Sequence, residues 1–364
     1  MLTIIYPFRN RDLLRLKNSF ESLAKQTSKN FEVQFVDYGS EKEIAAGVKD
    51  LCRNYNFIKY SFHPTQYQPW NKSKALNSVI KNLESQYCFI ADIDIIFHPR
   101  FVEKALTLSS SSKATYFQVG FLDKDEKPEN REFQSFNNYR KSKEGATGLA
   151  LFPVEKLKEI RGFDEFFHFW GSEDTDVLER LRNGGVKIEF FNREILLLHQ
   201  WHISYRNTES DRISKELQVK GIVQINNQHL SHNRRLKRKQ VNNKGWGICL
   251  EREDMVKLEE TPVTLTMTNQ KDIIKDLLYG QLPTIKDEIF KVSIVQDPVE
   301  NSLKHKVKKI IGKKAPPFYT LKTINDLVLL HLISFYRDFP YYYRIKEDGQ
   351  GMEFGIDFRK KNEK

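Results

Sequence analysis

The sequence predicts an α/β protein: a mostly parallel sheet flanked by helices over residues 1–230, followed by a mainly helical accessory region over 231–364. One observation predicts the sheet, a second argues against two nucleotide-binding alternatives, and a third sets the division. Short β-rich apolar runs alternate with amphipathic stretches from residue 2 to residue 97, the pattern of strand–helix–strand units with helices on both faces. No G-x-G-x-x-G follows the first apolar run and no G-x-x-x-x-G-K-[ST] occurs anywhere, which argues against a dinucleotide-binding fold and a P-loop. The basic run HNRRLKRKQ at 232–240 reads as a linker or exposed helix start.

Taken in order, LTIIY at 2–6 is a strand stopped by Pro7, and Leu13, Leu16, Phe20 and Leu23 recur at helical spacing through 12–25. FEVQFVD at 31–37 is the second strand, 41–54 the second helix and 57–62 the third strand. Residues 72–83 form the third helix, and 87–97, YCFIADIDIIF, a strand apolar enough to be buried on both faces. Ligands of such sheets lie beyond the carboxyl ends of the strands. Functional residues are therefore expected at 7–11, 37–40 and 92–94.

The chain has 364 residues, 39% of them hydrophobic and 12% aromatic, with 59 Lys+Arg against 48 Asp+Glu for a net charge of +11. This is too aromatic for a disordered chain and long enough for two domains. Residues 1–230 hold 33 basic and 30 acidic side chains, net +3, whereas 231–364 hold 26 and 18, net +8. Cys52, Cys88 and Cys249 have neither disulfide-framework nor zinc spacing. The uncharged apolar stretch at 327–336 is far shorter than the roughly 20 residues of a membrane-spanning helix, and no charged-then-apolar leader is visible. A cytoplasmic protein, soluble or peripheral to a membrane, is the expectation.

Asp92 and Asp94 interrupt an apolar run, and residues two apart on a strand share a face. Two converging carboxylates point to a divalent cation bound through oxygen, or to a turn or helix cap at the strand end. In FWGSEDTD at 169–176, Ser172 is placed to cap a helix from Glu173 to Arg182 that ends at Gly184-Gly185. Glu173 and Asp174 then either stabilise the helix dipole or bind a sugar and accept a proton from it, with Trp170 and Gly171 as an aromatic platform and a small neighbour. His199 and His202 close the apolar run EILLLHQWH. Asp with His suits Mn²⁺ or a similar cation. Arg9 and Arg11 either grip a phosphate or are solvated loop charge.

These residues resemble a family. YPFRNR at 6–11, WNKSKALN at 70–77, YCFIADIDIIFHP at 87–99, GFDEFFHFWGSEDTD at 162–176 and LLLHQWH at 196–202 look like the ordered motif set of GT-A glycosyltransferases. They are nearest to the β1,4-galactosyltransferases, and share the WG-x-E-D and His elements with the bacterial chondroitin-polymerase type and the polypeptide N-acetylgalactosaminyltransferases. The resemblance covers residues 1–213. It implies inverting transfer of a sugar from a UDP donor assisted by Mn²⁺ (or Mg²⁺). Pro7, Phe8, Arg9 and Arg11 would line the uridine and phosphate side, and Asp37 would meet the uracil. Lys72 stands where the family has an Arg reaching the diphosphate. Asp92 would face the ribose or donor sugar, Asp94 would ligate the metal, and His199 matches the metal-binding His. Leu196 replaces a ligating Met, so His202 or water would complete the set. Asp174 matches the base that deprotonates the acceptor hydroxyl; Glu173, Trp170 and Gly171 would hold a sugar. Gly145, near a bulky aromatic of the galactosyltransferases, would leave room for an N-acetyl group, so UDP-GalNAc joins UDP-Gal and UDP-GlcNAc. The acceptor would be a glycan or lipid-linked glycan, as in bacterial surface-polysaccharide synthesis.

The accessory region carries KHKVKKIIGKK at 304–314, with Val307, Ile310 and Ile311 at helical spacing among lysines. This is either a membrane-surface segment or a solvated helix face. Two rival functions are a basic nucleic-acid-binding protein, against which the basic clusters lie apart from the aromatics, and a metal-dependent phosphotransferase or nuclease, against which there is no second carboxylate cluster. No nucleic-acid partner is expected.

Overall fold

The computed structural model describes residues 1–129, 131–143, 145–203, 212–214, 216–311, 313 and 315–359. It divides into two compact units, one drawn from Met1–Gln66, Asn71–Asn207 and Val223–Cys249, the other from Tyr67–Trp70, Thr208–Ile222 and Leu250–Lys364.

The first unit follows the expected alternation over residues 2–90, and the rest of its elements continue in chain order: β1 (Leu2–Phe8), α1 (Leu13–Ala24), β2 (Phe31–Asp37), α2 (Lys42–Arg53), β3 (Ile58–Phe62), α3 (Lys72–Ile80), β4 (Tyr87–Ile90), β5 (Ile95–Phe97), α4 (Phe101–Leu108), β6 (Lys113–Phe117), β7 (Gly120–Leu122), β8 (Tyr139–Lys141), β9 (Ala150–Pro153), α5 (Val154–Glu159), α6 (Glu173–Asn183), β10 (Lys187–Phe191), β11 (Leu197–His199) and α7 (Ile222–Arg235). Seven strands form one sheet in the order β10-β6-β9-β4-β1-β2-β3. All neighbours pair in parallel except β9, which runs antiparallel to both β4 and β6. Strand β1, an interior strand between β4 and β2, is buried along its whole length, as its apolar composition requires. Helix α1 starts where Asp12 accepts the Arg15 N–H at 2.8 Å and buries Leu16, Phe20 and Leu23. Phe20 meets Tyr6 and Phe35 edge-on, at 5.7 Å between ring centroids in each pair, a geometry worth about 0.5–1.5 kcal/mol beyond area burial.

One strand differs from the sequence reading. The run at 87–97 is not continuous: β4 ends at Ile90, β5 begins at Ile95, and Asp92 and Asp94 lie in the turn between them. A strand would have sent both carboxylates into one face of the sheet. The turn divides them, leaving Asp92 39% exposed and turning Asp94 inward at 7%. Strand β5 then joins a second sheet, ordered β5-β11-β7-β8. Its antiparallel register sets His199 opposite Ile95.

The second unit holds α8 (Arg252–Glu260), β12 (Leu265–Thr268), α9 (Lys271–Asp276), β13 (Ile289–Val295), α10 (Leu303–Ile310), α11 (Leu321–His331), β14 (Tyr341–Ile345) and β15 (Gly351–Asp357). Helices are present as expected, but so is a four-stranded sheet, β12-β13-β15-β14, that the sequence reading does not foresee. Its core is Val292, Ile294, Phe354 and Ile356, with Ile324 and Val328 of α11 also buried. Among the described residues no helix is long and apolar enough to cross a membrane. Gly312 and Lys314 of the basic segment lie outside the described residues.

Candidate functional site

Two groups of polar side chains meet at the β4–β5 turn. The first contains Asp94, His199 and His202, whose ligand-type atoms all lie within 4.8 Å of one another. His199 Nε2 is 3.5 Å from Asp94 Oδ1, and His202 Nε2 is 3.1 Å from Asp94 Oδ2. The Gln200 N–H donates to the Asp94 carbonyl at 2.9 Å, tying the end of β11 to the turn. Asp94 Oδ1 is buried with no hydrogen-bond partner. An orphaned buried carboxylate oxygen is costly, and a cation between it and two imidazoles removes that cost, so this donor set fits Mn²⁺ or a similar ion. Burial alone would raise the Asp94 carboxyl, but His199 and His202 hold it below its ordinary value. The hydrogen bond to Asp94 raises His202.

The second group is built around Lys72 in the first turn of α3. Its Nζ lies 3.3 Å from Asp92 Oδ1, 3.6 Å from Asp174 Oδ1 and 3.7 Å from Glu173 Oε1. One ammonium faces three carboxylates, so negative charge is in excess. Burial pushes Asp174 well above the ordinary aspartate value; Lys72 pulls it down, while Glu173 and Asp92 push it further up. Burial opposes the charge on Lys72, yet Asp174, Asp92 and Glu173 together raise it well above the usual lysine value.

Each member is held by backbone with its own supports. Asn71 caps α3 by accepting the Lys74 N–H at 2.8 Å, and its amide donates to the Glu165 carbonyl at 2.9 Å. This anchors the turn that carries Lys72. Helix α6 starts at Glu173 as expected, but Ser172 does not cap it. Ser172 takes a left-handed φ of 76°, and its hydroxyl donates instead to Asn227 Oδ1 at 2.7 Å. A cap needs extended backbone so that its oxygen reaches the N2 or N3 amide, and this loop denies it: Phe169 and Gly171 are also left-handed, at 62° and 105°. The Glu173 carboxylate instead accepts the Gly171 N–H at 3.1 Å. The loop is pinned from α7, where the Asn226 amide donates to the carbonyls of His168 and Trp170 at 3.0 Å each.

Deeper in the unit, Asn233 of α7 donates to Asp164 Oδ2 and Asp176 Oδ1 at 3.1 and 2.8 Å, and Arg180 bonds Asp176 at 2.6 Å. These buried contacts lock α7 to α6. Asn71, Asn226 and Asn233 are positioning residues that the sequence reading misses. The available signal was polar Asn at positions spaced like the apolar residues Ile222, Ile225 and Leu230 of α7.

The donor-side residues divide. Pro7 and Phe8 are buried in β1, with the Phe8 ring against Phe35 at 5.3 Å. Arg9 donates from Nε to the Tyr38 carbonyl at 2.7 Å, donates to the Thr65 carbonyl, and stacks over the Tyr38 ring. Its guanidinium thus ties the loop after β1 to those after β2 and β3. Arg11 is exposed. Asp37 is fully buried, accepting from the Ser40 N–H at 2.8 Å and the Tyr60 hydroxyl at 3.1 Å, and burial raises it despite both bonds. Trp170 is 39% exposed. Gly145 has open space where a Cβ would stand.

Residues 3–159 match the family Glycosyl transferase family 2, and residues 128–202 match the N-terminal domain of galactosyltransferase. The first match holds Lys72, Asp92 and Asp94; the second holds Gly145, Trp170, Glu173, Asp174, His199 and His202. An uncharacterized glycosyltransferase of Rickettsia felis is 28% identical over 126 residues, which is 35% of this chain and 20% of that protein. The chain thus spans a fifth of the length of that relative. Similar solved structures are TarS 1-349 of S. aureus in complex with UDP (18% identity, TM-score 0.43, 55% of this chain and 60% of that one), the mannosyltransferase PcManGT of Pyrobaculum calidifontis with GDP-Man and Mn²⁺ (15%, 0.41, 56% and 57%), and GalNAc-T7 with UDP, GalNAc and Mn²⁺ (13%, 0.43, 56% and 43%). These two family matches lie over the parallel sheet and over both polar groups at its carboxyl edge, so it is residues 3–202 that are similar to glycosyltransferases.

Proposed function

We propose that the chain is an inverting, metal-dependent transferase that moves Gal, GalNAc or GlcNAc from a UDP-sugar to a hydroxyl of a glycan or lipid-linked glycan in surface-polysaccharide synthesis. The observation that carries this reading is the adjacency of the two groups: Asp92 in the Lys72 cluster and Asp94 in the histidine cluster are separated only by Ile93 on a single turn. The base and the metal-type ligands therefore address one locality.

Asp174 takes the proton of the acceptor hydroxyl as its oxygen attacks the anomeric carbon. The bond from that carbon to the diphosphate oxygen breaks, UDP departs and the configuration inverts. Asp94, His199 and His202 would hold Mn²⁺ or Mg²⁺, which supplies charge stabilisation to the diphosphate. Lys72 adds a positive point charge on the same side and keeps Asp174 from rising still further. Glu173, Trp170 and Gly171 orient a sugar, and the open space at Gly145 admits an N-acetyl group. Pro7, Phe8, Arg9, Arg11, Asp37 and Asp92 form the nucleotide side. The buried ones, Pro7, Phe8 and Asp37, act by setting the shape of its wall. Most of the acceleration comes from positioning and electrostatics.

A thermal-shift comparison of UDP, GDP and UDP-sugars with and without Mn²⁺ tests this. Stabilisation by UDP only with the metal is the expected result. A preference for GDP overturns the donor, and equal stabilisation in chelator overturns the metal.

A further inference from the structure

Helix α10 in the second unit is amphipathic in the reverse sense. A surface helix ordinarily buries its apolar stripe and exposes its charges. Here Leu303 is 80% exposed, Val307 52%, Ile310 84% and Ile311 55%. At about 100° per residue these four fall within one arc of roughly 100°. The Ile311 N–H donates to the Val307 carbonyl at 3.0 Å, so the last of them continues the helical row. His305, on the opposite face, is buried edge-on against Phe318 at 5.1 Å. The helix is seated by its histidine and presents an aliphatic ridge outward.

Charge identifies what the ridge meets. Residues 303–314 contain six lysines, and no acid occurs between Glu300 and Asp326. A second copy docking on this face would set lysines against lysines. A nucleic acid would find no aromatic or base-reading group along the ridge, only branched aliphatic side chains. An aliphatic ridge flanked by lysines suits an interface that is apolar below and anionic above, which is the headgroup boundary of a bilayer containing acidic phospholipid.

We propose that α10 is an interfacial helix that lies on an anionic phospholipid surface, with Leu303, Val307, Ile310 and Ile311 inserted at the headgroup–acyl boundary. Aliphatic burial and lysine attraction act together, so the loss of either weakens attachment. This inference stands independently of the transferred sugar.

The test is flotation of the full chain with vesicles of phosphatidylcholine alone and of phosphatidylcholine mixed with phosphatidylglycerol. Co-flotation with the mixed vesicles only is expected, weakening as salt rises because exposed charges are screened. Leu303→Gln combined with Ile310→Gln, and separately Lys304→Glu combined with Lys313→Glu, should each lower the bound fraction at least tenfold. All four positions are exposed, so thermal melts should stay unchanged. Equal binding to neutral vesicles, no flotation, or variants that bind like the parent would overturn the proposal. So would a lipid-independent dimer in sedimentation that the glutamine pair dissolves.

Discussion

Replacing Asp174 by Asn separates chemistry from folding at one position. The amide keeps the shape of the carboxylate and removes both its charge and its basic oxygen. Loss of a general base costs about 10²-fold or more in rate, which is at least about 2.7 kcal/mol of barrier. Stability moves the other way. The folded protein holds the Asp174 carboxyl well above its ordinary value, chiefly through burial. A group with a raised folded-state pKa adds stability below its unfolded value, about 3.9, and loses that contribution as pH rises through the folded value. At pH 7–8 the ionised form is therefore disfavoured in the fold, and Asn carries no charge to bury. The variant should melt at or above the temperature of the parent at neutral pH, bind UDP with Mn²⁺ equally in calorimetry, and release UDP from a UDP-sugar and acceptor at least 10²-fold more slowly. The parent's kcat/KM should fall on the acidic side at a pH above the ordinary carboxylate range. Turnover within tenfold of the parent, with UDP bound normally, would refute the assignment of the base.

Four further outcomes follow from the same geometry. Asp94→Ala should abolish Mn²⁺-dependent UDP binding in calorimetry; unchanged binding would put the metal elsewhere. Lys72→Gln should weaken UDP binding and, because Lys72 holds the Asp174 pKa down, shift the acidic limb of the rate profile to higher pH; an unmoved limb breaks the link between the two residues. Gly171→Ala forces a side chain onto a φ of 105°, at a cost of about 1–3 kcal/mol. This cost is backbone strain, since the nearest atom to the new Cβ is 3.8 Å away, and it is read as a lower urea midpoint with reduced turnover. Asn226→Ala leaves the His168 and Trp170 carbonyls without that donor and should cost about 1–3 kcal/mol, with transfer impaired more than UDP binding.

The order of strands and helices over residues 2–90 was legible because apolar periodicity reports burial, and burial decides those elements. The break at Asp92 was not, because FIADIDIIF has the composition of a strand and only its contacts reveal a turn. Ser172 carried the residue type of a cap, but capping depends on backbone angle, and left-handed backbone at Phe169 and Ser172 leaves no trace in residue type. The sheet of the second unit hid for a different reason. YYYRI at 341–345 and GMEFGID at 351–357 are good strand sequences, but they stand among helical stretches, and which strands they pair with is a long-range property. The candidate site was legible as residue types and not as partnerships. The sequence reads Lys72 as a diphosphate ligand, and says nothing of the three acids among which its ammonium lies.

That arrangement also accounts for lysine where the related enzymes are expected to carry arginine. A guanidinium is a planar fork suited to one carboxylate or phosphate approached edge-on. The carboxylates of Asp92, Glu173 and Asp174 come from two segments, the β4–β5 turn and the first turn of α6, and converge on one point at 3.3, 3.7 and 3.6 Å. A compact ammonium with three donors spread around one atom can address three such partners together; a planar fork would favour one and leave the others unscreened. Since a single positive charge cannot balance three negative ones, one carboxyl takes up the excess by holding its proton more tightly. Burial raises the Asp174 carboxyl further, and Asp174 is also the residue proposed above as the base.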